Sequence, residues 1–482
     1  MKNDLKTKYG LPMAICMVVG IVIGSGIFFK AQNVLNLTKG NMPLGILAWI
    51  IGGVIMIVCA YSFSILATKY SKVNGLVDYA EATVGKKYAY KIGWYLSMIY
   101  TPCITSVLAW VSARYTLVIF GIMDPTTGLC LALSALYLVL SYAINTLSPI
   151  IAGKVQISTT IIKLIPIALM AIVGTIYGLI VKSSGAIHSI LVTNFSTINN
   201  SGISALFGAV VATAFAYEGW ILATTINSEL KDAKKNLPKA LILGTAIVMI
   251  SYIIYYIGVA GGASVETLMT DGATTAFKNI FGVFGGTILN VLIAISCLGT
   301  LNGLMVSCTR NIYSLACRNQ GINPEMFKQV DKETNMPTNS AIIGLLLCAI
   351  WLFYFYIANL DTVLVGTYSA DTANGLIKML GTLKDGTYTV AWFAFDSSEL
   401  PIVALYALYL PIFYKMTKMK ELSVGKRVVV PILSMIASIF MIVAAIYAHT
   451  WGVMYFLIVT LVIMIIGDRV NKKNNKKIKR NA

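Results

Sequence analysis

The sequence predicts an all-α membrane protein of twelve transmembrane helices, a five-plus-five inverted repeat followed by two C-terminal helices. Three observations predict it: apolar blocks of spanning length, a lysine bias that alternates from link to link, and two spans broken at comparable depths. The chain has 482 residues, 57% of them hydrophobic and 12% charged, with a mean hydropathy of +0.79. So few charges cannot coat a water-soluble particle of this size. The apolar residues run in blocks of about twenty, the length that crosses a hydrocarbon core of ~30 Å. The first block is too long for a signal peptide and lacks a small-residue cleavage site, so it reads as a span.

The expected spans are Leu11–Val34, Leu44–Thr68, Ile92–Phe120, Thr127–Leu147, Val155–Val181, Ile203–Ile226, Ala240–Gly262, Gly285–Ala316, Ala341–Ala358, Leu400–Tyr414, Val428–Ala448 and Val453–Gly467. Alternate links divide the cations unevenly. One set holds twenty-nine lysines and arginines, from Lys2, Lys6 and Lys8 to the tail between Arg469 and Arg480; the other holds six, Lys30, Lys39, Lys182, Lys278, Lys378 and Lys384. By the positive-inside rule both termini are expected in the cytoplasm, with the chain in the cell membrane. The net charge of +18 therefore reports topology; a nucleic-acid binder would gather its basic residues on a soluble face.

The chain divides into a cytoplasmic segment 1–10, helices 1 to 5 over 11–181, an external link 182–202, helices 6 to 10 over 203–414, helices 11 and 12 over 428–467, and a basic cytoplasmic tail 468–482. The link from Ser71 to Lys91 is amphipathic and too polar to span. The external loop 359–398 is long and mixed, with Asp361, Asp371, Asp385 and Asp396; such loops are functional or disordered. Eight cysteines at no metal-ligand spacing read as free thiols.

The first span reads GIVIGSGIFF, with Gly24, Ser25 and Gly26 near its middle, and the sixth reads FAYEGW, with Glu218 and Gly219 at a similar depth. Glycine inside a helix costs about 1 kcal/mol relative to alanine, so its placement needs a reason. Close helix packing is one. Paired breaks five spans apart point to another, an inverted repeat with its binding site at the midplane. An unwound turn frees N–H groups at a half-helix N-terminus that can hold a carboxylate, and carbonyls that can hold an ammonium. Such a pair can grip both ends of an amino acid without a charged side chain.

At these residues the sequence resembles the amino acid–polyamine–organocation superfamily, in its L-amino acid transporter branch. The resemblance rests on Val22–Phe28 against IIGSGIF, Ser71–Gly75 against SKxxG, FAYxGW at Phe215–Trp220, ELKxxxKNLPKAL at Glu229–Leu241, and the tenth-span segment Glu399–Phe413. It implies the LeuT fold, transport by alternating access and a small amino acid as substrate. It also implies that the amides of Gly24, Ser25 and Gly26 bind the substrate carboxylate. The carbonyls of Val22 and Phe215 would then accept its ammonium, with Phe215 an aromatic gate above. Ile65, Ile221 and Ser228 stand where the branch usually has Glu, Asn and Glu.

Ionisable groups inside spans are expensive and mark function. Lys163 lies about 12 Å into the fifth span at 1.5 Å per residue, beyond the roughly 6 Å its stem can snorkel. In related transporters that lack sodium coupling, a lysine here resembles a fixed cation in place of sodium, with Ser296 as the matching partner. Glu218 can pair with a cationic substrate, carry a proton or cap freed amides. As the only acid expected near the breaks, it is readily neutralised, so a small neutral substrate is favoured. Arg114 is read as snorkelling outward, with no partner assigned.

The reading is a sodium-independent amino acid exchanger or permease. A proton-coupled symporter and a cationic amino acid or polyamine antiporter stay open beside it. No cofactor, metal or nucleic acid is called for, and no accessory subunit is expected to be required. His188 and His449, the only histidines, fall in external links, and no clustered acid–base set suggests an enzyme. A channel would need pore-lining rings or a filter, and none is repeated here.

Overall fold

The computed structural model describes residues 10–70, 75–124, 126–147, 158–159, 161–182, 188–196, 201–221, 230–334, 336–360, 364–369, 374–384 and 387–481. The first span is two helices, α1 (Leu11–Val22) and α2 (Gly26–Leu37), bent by 54° across the break. After them come α3 (Met42–Lys69), α4 (Leu76–Thr83), α5 (Lys86–Ile119), α6 (Gly128–Leu147), α7 (Leu164–Ile180), α8 (Ile190–Ser196) and α9 (Ile203–Ala216). The second half has α10 (Ala233–Ala260), α11 (Val265–Asp271), α12 (Ala273–Cys317), α13 (Pro324–Phe327) and α14 (Thr338–Phe355). The chain ends in α15 (Gly375–Leu380), α16 (Leu400–Met416), α17 (Gly425–His449) and α18 (Trp451–Asn481).

Local chemistry accounts for several helix starts. Proline stands at N1 or N2 of α1, α3 and α16, where its missing N–H costs nothing. The Asn41 side chain caps α3 by accepting from the Leu44 amide at 3.0 Å. Inside α12, Gly282 takes φ +72°, ψ 173°, a conformation open only to glycine. It kinks the helix, and the piece from Ala273 lies beside Gln32 in the second half of α2, away from the start of α1, on what is here called the distal face.

Among the described residues, eight helices are long and apolar enough to cross a bilayer, or nine with α1 and α2 taken as one bent span. Three shorter apolar helices, α7, α9 and α16, stand where the fifth, sixth and tenth spans are expected. Ile436, Leu461 and Ile466, each at least half exposed, belong to an outward aliphatic surface suited to lipid. Helices inside approach through glycines: a Cβ on Gly174 would lie 2.4 Å from the Gly258 carbonyl, and one on Gly178 2.3 Å from the Gly261 Cα. This seals α7 against α10 by backbone contact, the small-residue packing expected of membrane helices.

Three features go beyond what the sequence specified. The loop 359–398 contains a three-stranded antiparallel sheet in the order β1–β3–β2, with β1 Val365–Ser369, β2 Thr382–Lys384 and β3 Thr387–Ala391. Its side chains gather on Ile377 and Val390; such short strands carry too weak a period to stand out in sequence. The helix of the final span does not end near Gly467: α18 runs on through most of the basic tail to Asn481. The polar link after α3 is anchored, since Arg318 pairs with both Asp78 and Glu81 of α4. Ser71 to Asn74, Ser228, Glu229, Asp361, Asp371 and Asp385 lie outside the described residues.

Candidate functional site

Ile23, Gly24 and Ser25 are the unwound turn, and the first residue after it, Gly26, opens α2. The turn after α9 holds Tyr217, Glu218 and Gly219, the last at φ +104°; residues 222–229, where the sixth span would resume, lie outside the described residues. The two breaks face each other. A Cβ on Gly26 would lie 2.4 Å from the Ala216 Cα and 3.1 Å from the Phe215 carbonyl, and one on Gly219 would lie 3.2 Å from the Ile21 carbonyl. Gly24 abuts Thr300 of α12 at 3.2 Å by the same measure. Glycine at 26 is thus demanded by packing as well as by any ligand.

The polar groups at this junction divide into engaged and unengaged. The Tyr252 hydroxyl of α10 bridges the breaks, donating towards the Ala216 carbonyl at 3.0 Å and the Val22 carbonyl at 3.3 Å. The Val22 acceptor expected for a substrate ammonium is thus already in use, by a residue that sequence reasoning missed. Tyr252 sits in an unbroken aromatic and aliphatic run, YIIYYIGVA, that carries no local signal. The Ser25 hydroxyl is buried and finds no oxygen or nitrogen partner among the described residues, only the Cys297 thiol of α12 beside it. A buried hydroxyl at a backbone break with only a weak thiol neighbour is the kind of group a ligand completes.

Lys163, 4% exposed, reaches α1 and donates to the Gly20 carbonyl. The ammonium therefore sits just before the break. It does not join Ser296, whose buried hydroxyl is unpaired among the described residues, while the Ser296 carbonyl accepts from Thr300 at 3.0 Å. The Glu218 carboxylate is half-buried. It accepts from the Tyr100 hydroxyl and the Gly219 amide. Tyr100 closes a π-helical turn, Leu96–Tyr100, within α5, a distortion that often marks functional sites.

Towards the distal face the junction is covered by aromatic rings. Phe215 meets Phe29 edge-on at 5.8 Å, and Phe29 meets Trp110 at 5.5 Å. Above them lies a cavity of about 380 Å³ whose lining includes Gln32, Arg114, Tyr115, Asp271 and Lys278. Arg114 does have partners: it donates to Gln32 Oε1 at 3.2 Å and lies 5.7 Å from the Trp110 ring centre.

Three expectations need correction here. Lys30 is not in a link: it lies within α2, 1% exposed, paired with Glu399. His449 is the last residue of α17, 3.0 Å from the same carboxylate. Glu218 is accordingly not the only intramembrane acid near the breaks. The signal for Lys30 was available, since the first span was expected to run on to Val34; its partners Ser398 and Glu399 are 368 and 369 residues away and were not.

The sequence pattern of the amino acid permease family matches residues 9–476. The serine/threonine exchanger SteT of Bacillus subtilis (strain 168) is 32% identical over 322 residues, which is 66% of this chain and 70% of that protein. The cystine/glutamate transporter of Homo sapiens is 26% identical over 366 residues, 75% of this chain and 70% of that one. Among solved structures, MhsT in complex with L-phenylalanine superposes with a TM-score of 0.54 at 13% identity, covering 92% of this chain and all of that one. That likeness concerns the fold and agrees with a LeuT-like arrangement. With a family match over nearly its whole length, this chain belongs to the amino acid permeases of the amino acid–polyamine–organocation superfamily, and it is a multi-pass membrane transporter, not an enzyme.

Proposed function

We propose that this protein is a sodium-independent exchanger of small neutral amino acids, working by alternating access at the junction of the two breaks. The single observation that carries the reading is the contact of Gly26 with Ala216 and Phe215, which sets two unwound turns against each other. In this reading the amides of Gly24, Ser25 and Gly26 hold the carboxylate, and the ammonium displaces the Tyr252 hydroxyl from the Val22 and Ala216 carbonyls. Phe215 then closes over the bound molecule. Lys163 serves as the fixed cation beside the first break, through the Gly20 carbonyl; Ser296 lies one helical turn before Thr300, which meets Gly24. A neutral substrate is supported by Glu218, whose carboxylate is occupied by Tyr100 and Gly219. The name of the Bacillus subtilis relative points the same way, towards serine and threonine.

The lysine bias supports an orientation with both termini in the cytoplasm of a cell-membrane protein, in which the distal face looks outward. The two repeats, 11–181 and 203–414, rock about the shared site, with 428–467 outside them. One chain suffices for transport, without an accessory subunit. The test is counterflow in proteoliposomes loaded with serine, with every common amino acid as competitor and with sodium replaced by choline. Competition by serine, threonine and alanine in the absence of sodium supports the reading; a requirement for sodium or selective competition by lysine overturns it.

A further inference from the structure

Above the aromatic lid, three ionisable side chains from distant parts of the sequence form one buried cluster. Lys30 of α2 pairs with Glu399, at the start of α16, and donates to the Ser398 hydroxyl at 2.9 Å. The ammonium also lies 5.0 Å from the centre of the Phe29 ring and 5.4 Å from that of Phe215, so it rests directly on the lid. His449 Nε2, at the end of α17, lies 3.0 Å from the second oxygen of Glu399. Asn33 donates to the first oxygen at 3.3 Å. Asp396 shapes the turn, accepting from the Ser398 amide at 2.7 Å, the Ser398 hydroxyl at 2.6 Å and the Glu399 amide at 3.0 Å. The Lys30 and Glu399 side chains are 1% and 3% exposed, whereas that of His449 is 19% exposed and keeps a path to water.

We propose that His449 is a proton-binding site, and that a proton held there latches α2 to α16 and α17 and keeps the distal lid shut. Its purpose rests on the transport reading; its test does not. The charged groups around the imidazole are Glu399 in contact, Lys30 on the far oxygen of that carboxylate, and Asp396 in the same turn. Asn33 is neutral, and α9, which meets the end of α17 through Phe207 on Tyr447 and Gly208 beside Ala448, carries no charged residue. With a neutral imidazole, Glu399 holds a single cation. With an imidazolium, each carboxylate oxygen holds one, and the second charge-assisted bond forms where water is scarce.

Lys30 opposes the added charge, but from the other side of the carboxylate, while Asp396 favours it. When α2 leaves α16 the cluster hydrates, and the attraction between imidazolium and carboxylate falls with the rising dielectric. The closed lid therefore binds the proton more tightly than the open one, and by linkage acid favours the closed lid. Histidine is the side chain whose ordinary titration range suits such a switch near neutral pH.

Amide hydrogen exchange over residues 30–37 of the purified full chain in nanodiscs, at pH 6 and pH 8 and corrected for the intrinsic rate, reads the latch without any substrate. The expected result is severalfold slower exchange at pH 6 in the wild type, and no difference in His449→Gln, which keeps a donor N–H but cannot take a charge. Lys30→Met should exchange fast at both pH values. Equal protection at both pH values in the wild type, or a pH effect that persists in His449→Gln, overturns the proposal. Failure of the proteoliposome assay would count against the exchanger reading and leave this readout unaffected.

Discussion

Gly26 and Ala216 meet backbone to backbone, with 2.4 Å between the Ala216 Cα and the point where a Gly26 Cβ would stand. Backbone cannot swing aside as a flexible side chain can. Gly26→Ala therefore forces α2 and α9 apart, at a cost of about 1–3 kcal/mol for overpacking. The expected outcome is serine exchange reduced at least tenfold and a lower melting temperature in detergent, with Gly26→Val worse on both. Normal exchange by either variant would show that the breaks do not form the site.

Lys163 is buried with its ammonium on the Gly20 carbonyl. Lys163→Ala removes that donor and leaves the carbonyl unsatisfied, a loss of about 1–3 kcal/mol. Exchange by the variant should fall about tenfold or more, while the wild type should run equally fast in sodium and in choline. A wild-type rate that climbs steeply with sodium would mean that an ion, not the lysine, holds this place.

Tyr252 spans the Val22 and Ala216 carbonyls, the groups assigned to the substrate ammonium. Tyr252→Phe removes the competitor and leaves both acceptors dependent on the ligand. The ligand-free variant should lose about 0.5–1.5 kcal/mol, the net worth of a typical hydrogen bond, and serine should then raise its melting temperature more than it raises that of the wild type. An unchanged ligand-induced shift would separate Tyr252 from the ammonium site.

Glu218 accepts from Tyr100 and Gly219, so its shape matters more than its charge. Glu218→Gln is expected to keep serine exchange within about threefold, because the amide oxygen still accepts, whereas Glu218→Ala orphans the buried Tyr100 hydroxyl and should lose tenfold or more. Uptake of labelled serine and lysine by both variants checks this. Selective loss of lysine uptake in Glu218→Gln would assign the carboxylate to a cationic side chain instead.

Hydropathy and charge, read along the chain, marked most of the spans and the lysine-rich links, the glycines of GSG and FAYEGW marked the breaks, and the motif resemblance marked the family, because each depends on residues near one another in sequence. A span is decided by the transfer of about twenty neighbouring side chains into lipid, and a break by glycines within one turn. Lys163 was legible too, since a cation deep in an apolar run needs a partner wherever that partner is. What only the tertiary structure decided is who that partner is: Gly20, not Ser296. It also brought Lys30 to Glu399 and His449, Tyr252 to the two breaks, Arg114 to Gln32, and strands into the loop 359–398. These contacts join segments 36 to 369 residues apart, or strands of three to five residues, and their distances follow from helix packing, for which no local pattern stands in.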